Sequence, residues 1–238
     1  MAQITLPYST GFEGLSTGQL PTGWQQLQSG SSGAGTFPAG YAYASNARNG
    51  SVYFEFESNT GQTELAALPE MDDINLLQLS FYASVMNHNF MFEVGVMEGT
   101  TFVPVDTIAF TLGSGGNWHG SYYLYTVYFN NYTGTGNRMA MRSTASSGTS
   151  YTLMIDDLTV DYIPTCPAPT NLVLDSASVD WMALHWSENG TASGWVVEYS
   201  TSPIAASNLG QNIGTMVTVS GTPSTTLTGL DTATTYYI

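Results

Sequence analysis

Hydrophobic and polar residues alternate along much of the chain. Ser51 to Glu57 sets Val52, Phe54 and Phe56 on one side and Tyr53, Glu55 and Glu57 on the other. A period of two marks a strand with one face against a core. Leu76 to Val85 reads the same way. Asn89 to Met97 and Phe102 to Leu112 flank Glu98-Gly99-Thr100-Thr101, which predicts a hairpin. Ile4 to Phe12 is apolar and extended and closes on Glu13, and Arg138 to Arg142 is a short strand. Tyr122 to Phe129 is apolar on both faces, which predicts a central strand. Ser29 to Gly40 is Gly-rich and predicts a flexible loop. No segment carries a sustained helical period. Strands with Gly-rich turns and no helices predict an all-β, two-sheet sandwich.

The most informative stretch is Tyr151 to Tyr162, YTLMIDDLTVDY. Alternation puts Met154, Asp156, Leu158, Val160 and Tyr162 on one face, and Leu153, Ile155, Asp157, Thr159 and Asp161 on the other. The first set is the more consistently apolar and is the expected core face. Asp156 then points inward. A buried carboxylate must be paired, protonated or bound to a metal. The chain has three Arg and no Lys, so a metal is the favoured partner. The alternative is a shifted strand with both carboxylates in water.

A composition break follows at Ile163-Pro164-Thr165-Cys166-Pro167-Ala168-Pro169. It divides the chain into residues 1–163 and 164–238. Short strands are expected beyond it at Thr170 to Leu174, Trp181 to Trp186, Gly194 to Ser200, Met216 to Val219 and Thr225 to Leu230. These predict a second, smaller sandwich.

Composition narrows the partners. The net charge is −15 although only 9% of residues are charged. With no basic patch to neutralise phosphates, nucleic acid is not an expected partner. Anionic membrane surfaces would repel the chain. No apolar run reaches the roughly 18 residues that suggest a membrane span. An acidic chain suits divalent cations. Met1-Ala2 and a polar start make no signal peptide, so an export signal has been removed or the chain is a fragment. A single cysteine, Cys166, cannot form an internal disulfide. Richness in Ser, Thr, Gly and Asn suggests an extracellular setting.

The second segment resembles a fibronectin type III module from Pro167 to Ile238. Ala168-Pro169-Thr170-Asn171-Leu172, Leu184-His185-Trp186, Trp195-Val196-Val197-Glu198-Tyr199 and Leu230-Asp231-Thr232-Ala233-Thr234-Thr235-Tyr236 carry the likeness. It implies an Ig-like sandwich in which the Tyr236 hydroxyl ties back to upstream backbone. It also implies a module incomplete at its C-terminus, since the sequence stops at Ile238 before the expected last strand. Cys166 is then expected to pair with a cysteine outside this chain.

The first segment, Leu6 to Ile163, resembles the cleaved-adhesin or choice-of-anchor J domains, relatives of MAM domains. The likeness rests on Gly11-Phe12-Glu13, Leu20-Pro21-Thr22-Gly23-Trp24, Leu79-Ser80-Phe81, Phe92-Glu93-Val94-Gly95-Val96, Trp118, Arg138-Met139-Ala140-Met141-Arg142 and Ile155-Asp156-Asp157-Leu158. It implies a jelly roll with structural calcium and a non-catalytic adhesive or ligand-binding role. Glu13 and Asp156 are the implied carboxylate ligands, with Asp157 in reserve. Asn46 and Asn49 complete the set, since calcium takes 6–8 oxygens.

No catalytic motif is present: there is no GxSxG, HExxH or CxxC. His88, His119 and His185 are too scattered for a ligand cluster, and His185 faces away from its core. Trp24 and Trp118 are candidates for a ligand-stacking platform, although aromatics are more often core. The expected function is a non-catalytic adhesion or ligand-binding module of a secreted, multidomain bacterial surface protein. Its ligand would be an extracellular protein or glycan, and further domains are expected in the same polypeptide. The alternative is a carbohydrate-binding module appended to a glycoside hydrolase or peptidase. An autonomous hydrolase is a third, distant reading.

Overall fold

The computed structural model describes residues 4–32, 35–58, 62–86, 90–110, 121–144, 151–204 and 213–238. The chain forms two compact units, Met1–Ile163 and Pro164–Ile238. Among the described residues there is no α-helix, only a 3-10 turn at Ile74–Leu76.

The first unit's strands are β1 (Tyr8–Thr10), β2 (Gln25–Gln28), β3 (Gly30–Ser32), β4 (Gly35–Phe37), β5 (Ala39–Ala42), β6 (Val52–Ser58), β7 (Glu64–Ala67), β8 (Leu77–Met86), β9 (Phe90–Glu98), β10 (Thr101–Phe110), β11 (Tyr123–Tyr128), β12 (Arg138–Thr144) and β13 (Tyr151–Tyr162). One sheet runs β11-β8-β13-β6-β5, with β1 also on β13; the other runs β10-β9-β12-β7-β2. Every pairing is antiparallel. The two sheets enclose one core of the jelly-roll sandwich type. Phe54, Phe56, Phe81 and Leu153 of the first sheet meet Ala66, Phe92, Val94 and Met139 of the second. Phe56 and Phe92 meet edge to face with centroids 5.2 Å apart.

The hairpin of β9 and β10 turns at Gly99-Thr100, with Thr101 opposite Glu98. Strand β6 sends Val52, Phe54 and Phe56 into the core, yet Tyr53 and Glu55 on its other face are buried too. The reason is that the described residues between Ser29 and Gly40 are not a loose loop. They form the β3–β4 hairpin and lead into β5, and the hairpin packs on β6. Its Phe37 is fully buried. Strand β11 is an edge strand rather than a central one. Among the described residues it pairs with β8 alone, and Tyr123 and Leu124 stand exposed.

The second unit holds β14 (Thr170–Ala177), β15 (Trp181–Ser187), β16 (Gly194–Tyr199), β17 (Thr215–Ser220) and β18 (Ser224–Thr228). They form a three-stranded sheet, β14-β15-β18, and a two-stranded one, β16-β17. Leu184, Trp186, Val197, Val219, Leu227 and Leu230 pack together in this smaller sandwich. Ser200 and Tyr237 exchange two backbone hydrogen bonds, 2.9 and 2.8 Å. The Tyr236 hydroxyl accepts a bond of 2.9 Å from the Asp231 N–H.

Candidate functional site

The two carboxylates in β13 sit on a β-bulge. Pairing with β8 runs in register to Asp156 opposite Tyr82 and resumes, shifted, at Thr159 opposite Ser80. Asp157 occupies the left-handed region, φ 48°, which Asp tolerates better than most residues. A bulge inverts the alternation beyond it. Before it the core-facing residues are Leu153 and Ile155; after it they are Leu158 and Val160. The expected single core face for Met154 through Tyr162 is therefore corrected. Asp156 shares the sheet's outward face with Met154, and Tyr162 is exposed. Asp156 is still fully buried, because the segment 46–49 and Tyr122 lie against it.

The partners of Asp156 are main-chain amides. Its Oδ2 accepts from the N–H of Arg48 (2.9 Å) and of Asn49 (3.2 Å), and its Oδ1 from the N–H of Asp157 (2.8 Å). Arg48 sends its guanidinium to Asp157 Oδ2 instead, and Asn49 Nδ2 donates to that Asp157 oxygen at 2.5 Å. The Arg48 guanidinium also lies over the Tyr82 ring, 3.5 Å from its centroid.

Glu13 reaches the same loop from the other side. The sequence expectation ends the first strand there, but β1 stops at Thr10 and Glu13 follows in a turn. Phe12, at φ 61°, turns its ring into the core against Phe54, which leaves Glu13 facing outward. Its Oε1 accepts from the N–H of Ser51 (2.8 Å) and Val52 (3.0 Å), and its Oε2 from Ser51 Oγ (3.2 Å). Gly50 makes this approach possible: a Cβ there would lie 2.2 Å from Glu13 Oε1.

Asn46 belongs to the same loop and is buried. Its carbonyl accepts from the Tyr122 hydroxyl at 2.8 Å. Its side-chain Oδ1 is buried without a hydrogen-bond partner. Four of the five expected metal-site residues, Glu13, Asn46, Asn49 and Asp156, thus converge on one loop, and Asp157 joins them through Arg48. Sequence reasoning missed the Arg48 guanidinium and Gly50. No pattern marks Arg48, but the Asn49-Gly50 pair is a turn signal.

Burial raises the Asp156 carboxyl to about 6, opposed by its three amide donors and assisted by the Asp157 charge. Glu55, on the same outward face, is pushed up to about 8 by burial and by its bond to Glu57. Burial and the charges of Asp156, Glu55 and Asp157 raise the Tyr122 hydroxyl as well. Glu13 moves the other way: the N–H groups of Ser51 and Val52 hold it below its usual value.

The candidate stacking platform is not formed by Trp24. That ring is buried against Phe12 and Phe54, and its Nε1 donates to the Tyr8 hydroxyl at 2.9 Å. The Pro21-Thr22-Gly23 turn, with Gly23 at φ 81°, drops it into the core. Trp118, His88 and His119 lie outside the described residues. His185 is a surface residue bonded to Asp175 at 2.6 Å. Cys166 is exposed and free. Among the described residues, no three His, Cys, Asp or Glu side chains gather closely enough to hold a metal by themselves. No helix among them is long and apolar enough to cross a membrane.

No family model matches the chain, and no curated protein matches it. Among solved structures, the K2 cleaved adhesin domain of Lys-gingipain (Kgp) is similar at 15% identity and TM-score 0.48, covering 65% of this chain and 97% of that one. The K1 cleaved adhesin domain of Lys-gingipain from Porphyromonas gingivalis W83 follows at 12% identity and TM-score 0.47, covering 66% and 99%. TmCBM61, solved in complex with beta-1,4-galactotriose, is similar at 16% identity and TM-score 0.43, covering 64% and 94%. Such distant likenesses carry no functional assignment.

Proposed function

We propose that the first unit is a non-catalytic adhesion or ligand-binding module of a secreted, multidomain bacterial surface protein, with a structural calcium ion tying its ends together. The observation that carries this reading is the convergence of Asp156 and Glu13 on the loop from Asn46 to Val52, which also holds the unpartnered Asn46 Oδ1. The donors are hard oxygens, which suit calcium. A carboxylate offers about four lone-pair positions. The hydrogen bonds above take three on Asp156 and three on Glu13, which leaves a place on each for an ion. Asn46 Oδ1 would supply a third donor, and water would fill the remainder. Asp157 and Asn49 stand outside this set, because Asp157 already holds Arg48 and the Asn49 amide.

The ion's chemistry would be charge neutralisation. Asp156 belongs to β13, the loop leads into β6 and Glu13 follows β1, so one cation would pin three distant segments. The second unit is read as a fibronectin type III-like spacer. The Tyr236–Asp231 bond and the Trp186 core support that reading.

The test is thermal unfolding of the full chain in calcium and in chelator. Extracellular calcium modules bind with constants of about 10⁻⁴ to 10⁻³ M. At millimolar calcium this gives roughly 1–2 kcal/mol of stabilisation. The first unit's midpoint is expected to rise with calcium, and the rise to vanish in Asp156→Asn and shrink in Glu13→Gln. Equal midpoints with and without calcium would overturn the reading.

A further inference from the structure

The outward face of the five-stranded sheet carries a groove of about 510 Å³. Its floor is Leu65 and Met97, which are buried and belong, with Ala67 and Ala140, to a small apolar cluster separate from the main core. Gln25 and Gln28 wall it from β2, and Asn137, Arg138 and Glu70 line it as well.

A second β-bulge sets this wall. Gln25 lies opposite Ala67 and Gln28 opposite Leu65, with the register broken at Leu27. A regular strand would place residues 25 and 27 on one face. The extra residue brings Gln28 to the groove as well, so that Gln25, Leu27 and Gln28 all line it. Gln26 turns away and donates to the Pro38 carbonyl at 2.9 Å. Arg138 is held in place: it donates to the Leu68 carbonyl at 2.8 Å and to Glu70 Oε1 at 3.1 Å.

We propose that this groove binds a short stretch of a neutral glycan. The proposal rests on the reading of the first unit as a ligand-binding module and names the site and the ligand class. Charge is the deciding observation. The acid and the guanidinium of the groove are paired with each other, so the lining offers no net charge. The chain's charge of −15 opposes anionic glycans. Each of the three amides presents a donor and an acceptor together, as a sugar hydroxyl does. Exposed Leu27, above the Leu65 and Met97 floor, offers an apolar surface to the C–H groups of a sugar ring. A volume in this range suits a small-ligand site, and an Arg138 already held by its own bonds adds little to the ordering cost.

The experiment is affinity electrophoresis of the full chain in gels containing galactan, xylan, mannan or mixed-linkage β-glucan. Polygalacturonate and gelatin serve as the anionic and peptide arms. At least one neutral polysaccharide is expected to retard the chain. The double variant Gln28→Ala/Asn137→Ala, which removes exposed side chains only, is expected to weaken retardation about tenfold or more. Thr100→Trp, at the groove's rim, should weaken it similarly, and Tyr123→Ala, on the other sheet, should not. The proposal is overturned if no neutral polysaccharide retards the chain, if both groove variants bind unchanged, or if only polygalacturonate or gelatin does so. Repeating the runs in calcium and in chelator separates the two readings. Retardation by a neutral glycan in a protein whose melting ignores calcium would keep the groove and remove the ion. Calcium-dependent melting without such retardation would do the reverse.

Discussion

The two units use one architecture at two depths. In the first, rings from both sheets interlock around Phe54, Phe56, Phe81 and Phe92, all fully buried. The second has a core of six buried residues among those described. A groove of about 700 Å³ opens there beside Trp186 and Trp195. Trp186 Nε1 is buried in it without a hydrogen-bond partner. Burial of apolar area is the main favourable term in folding. A sandwich with one filled core can therefore carry buried polar groups and clefts on its outward faces, as the first unit does with Asp156 and the groove. The second unit has less to draw on, and single polar contacts such as Tyr236 matter more to it.

The sharpest way to break this comparison is to empty part of the larger core. Phe54→Ala removes a ring that meets Phe12, Trp24 and Phe56. It is expected to cost about 3–5 kcal/mol. Calorimetry should show the first unit's transition fall and the second's stay. Movement of both together would show that the units unfold as one.

The next effect is carried by pH. Glu55 titrates at about 8 in the folded chain against 4.5 for its ordinary value, and Asp156 at about 6 against 3.8. Both folded values are raised, so the folded state holds protons the unfolded one has released. Their contribution is full below the ordinary values and is lost as pH rises through about 6 and about 8. In chelator the first unit should melt lower at pH 8 than at pH 5. Calcium should flatten the part due to Asp156, because the ion favours the carboxylate. In the second unit Glu188 is shifted down, chiefly by its bond from Trp195. That works in the opposite direction, towards loss of stability on acidification. A first unit that melts higher at pH 8 would contradict this account.

The smallest effect sharpens the other side. Tyr236→Phe removes the acceptor for the Asp231 N–H and is expected to cost the second unit about 1 kcal/mol. The first unit's midpoint should not move. No change in either would make the Tyr236 bond incidental.

Period-two patterns were enough to read β6, the β9–β10 hairpin and the short strands after Ile163. They failed where a local event broke the period. The bulge at Asp157 inverts the faces of β13, so Asp156 was expected on the wrong side of its sheet. Two adjacent Asp residues in a strand, a type that strands disfavour, are the residual signal of that bulge. Alternation left Trp24 open between core and stacking platform because a turn, not a strand, positions it. Strand β11 looked central because its inward Val127 and outward Leu124 are both apolar, although only the first is buried. The groove on the five-stranded sheet left no trace in the alternation, since a second bulge places Gln25 and Gln28 together.

The bulge in β13 also acts as a boundary. Along one edge of this strand, β6 pairs with Tyr151 through Ile155, and β1 pairs with Leu158 through Val160. Only Asp156 and Asp157 separate the two tenants of that edge. Neither neighbour can slide toward the other without running into the left-handed step between them. Two segments more than forty residues apart in the chain are thereby indexed against a single fixed stop, so the doublet calibrates the sheet's assembly as well as carrying its charge.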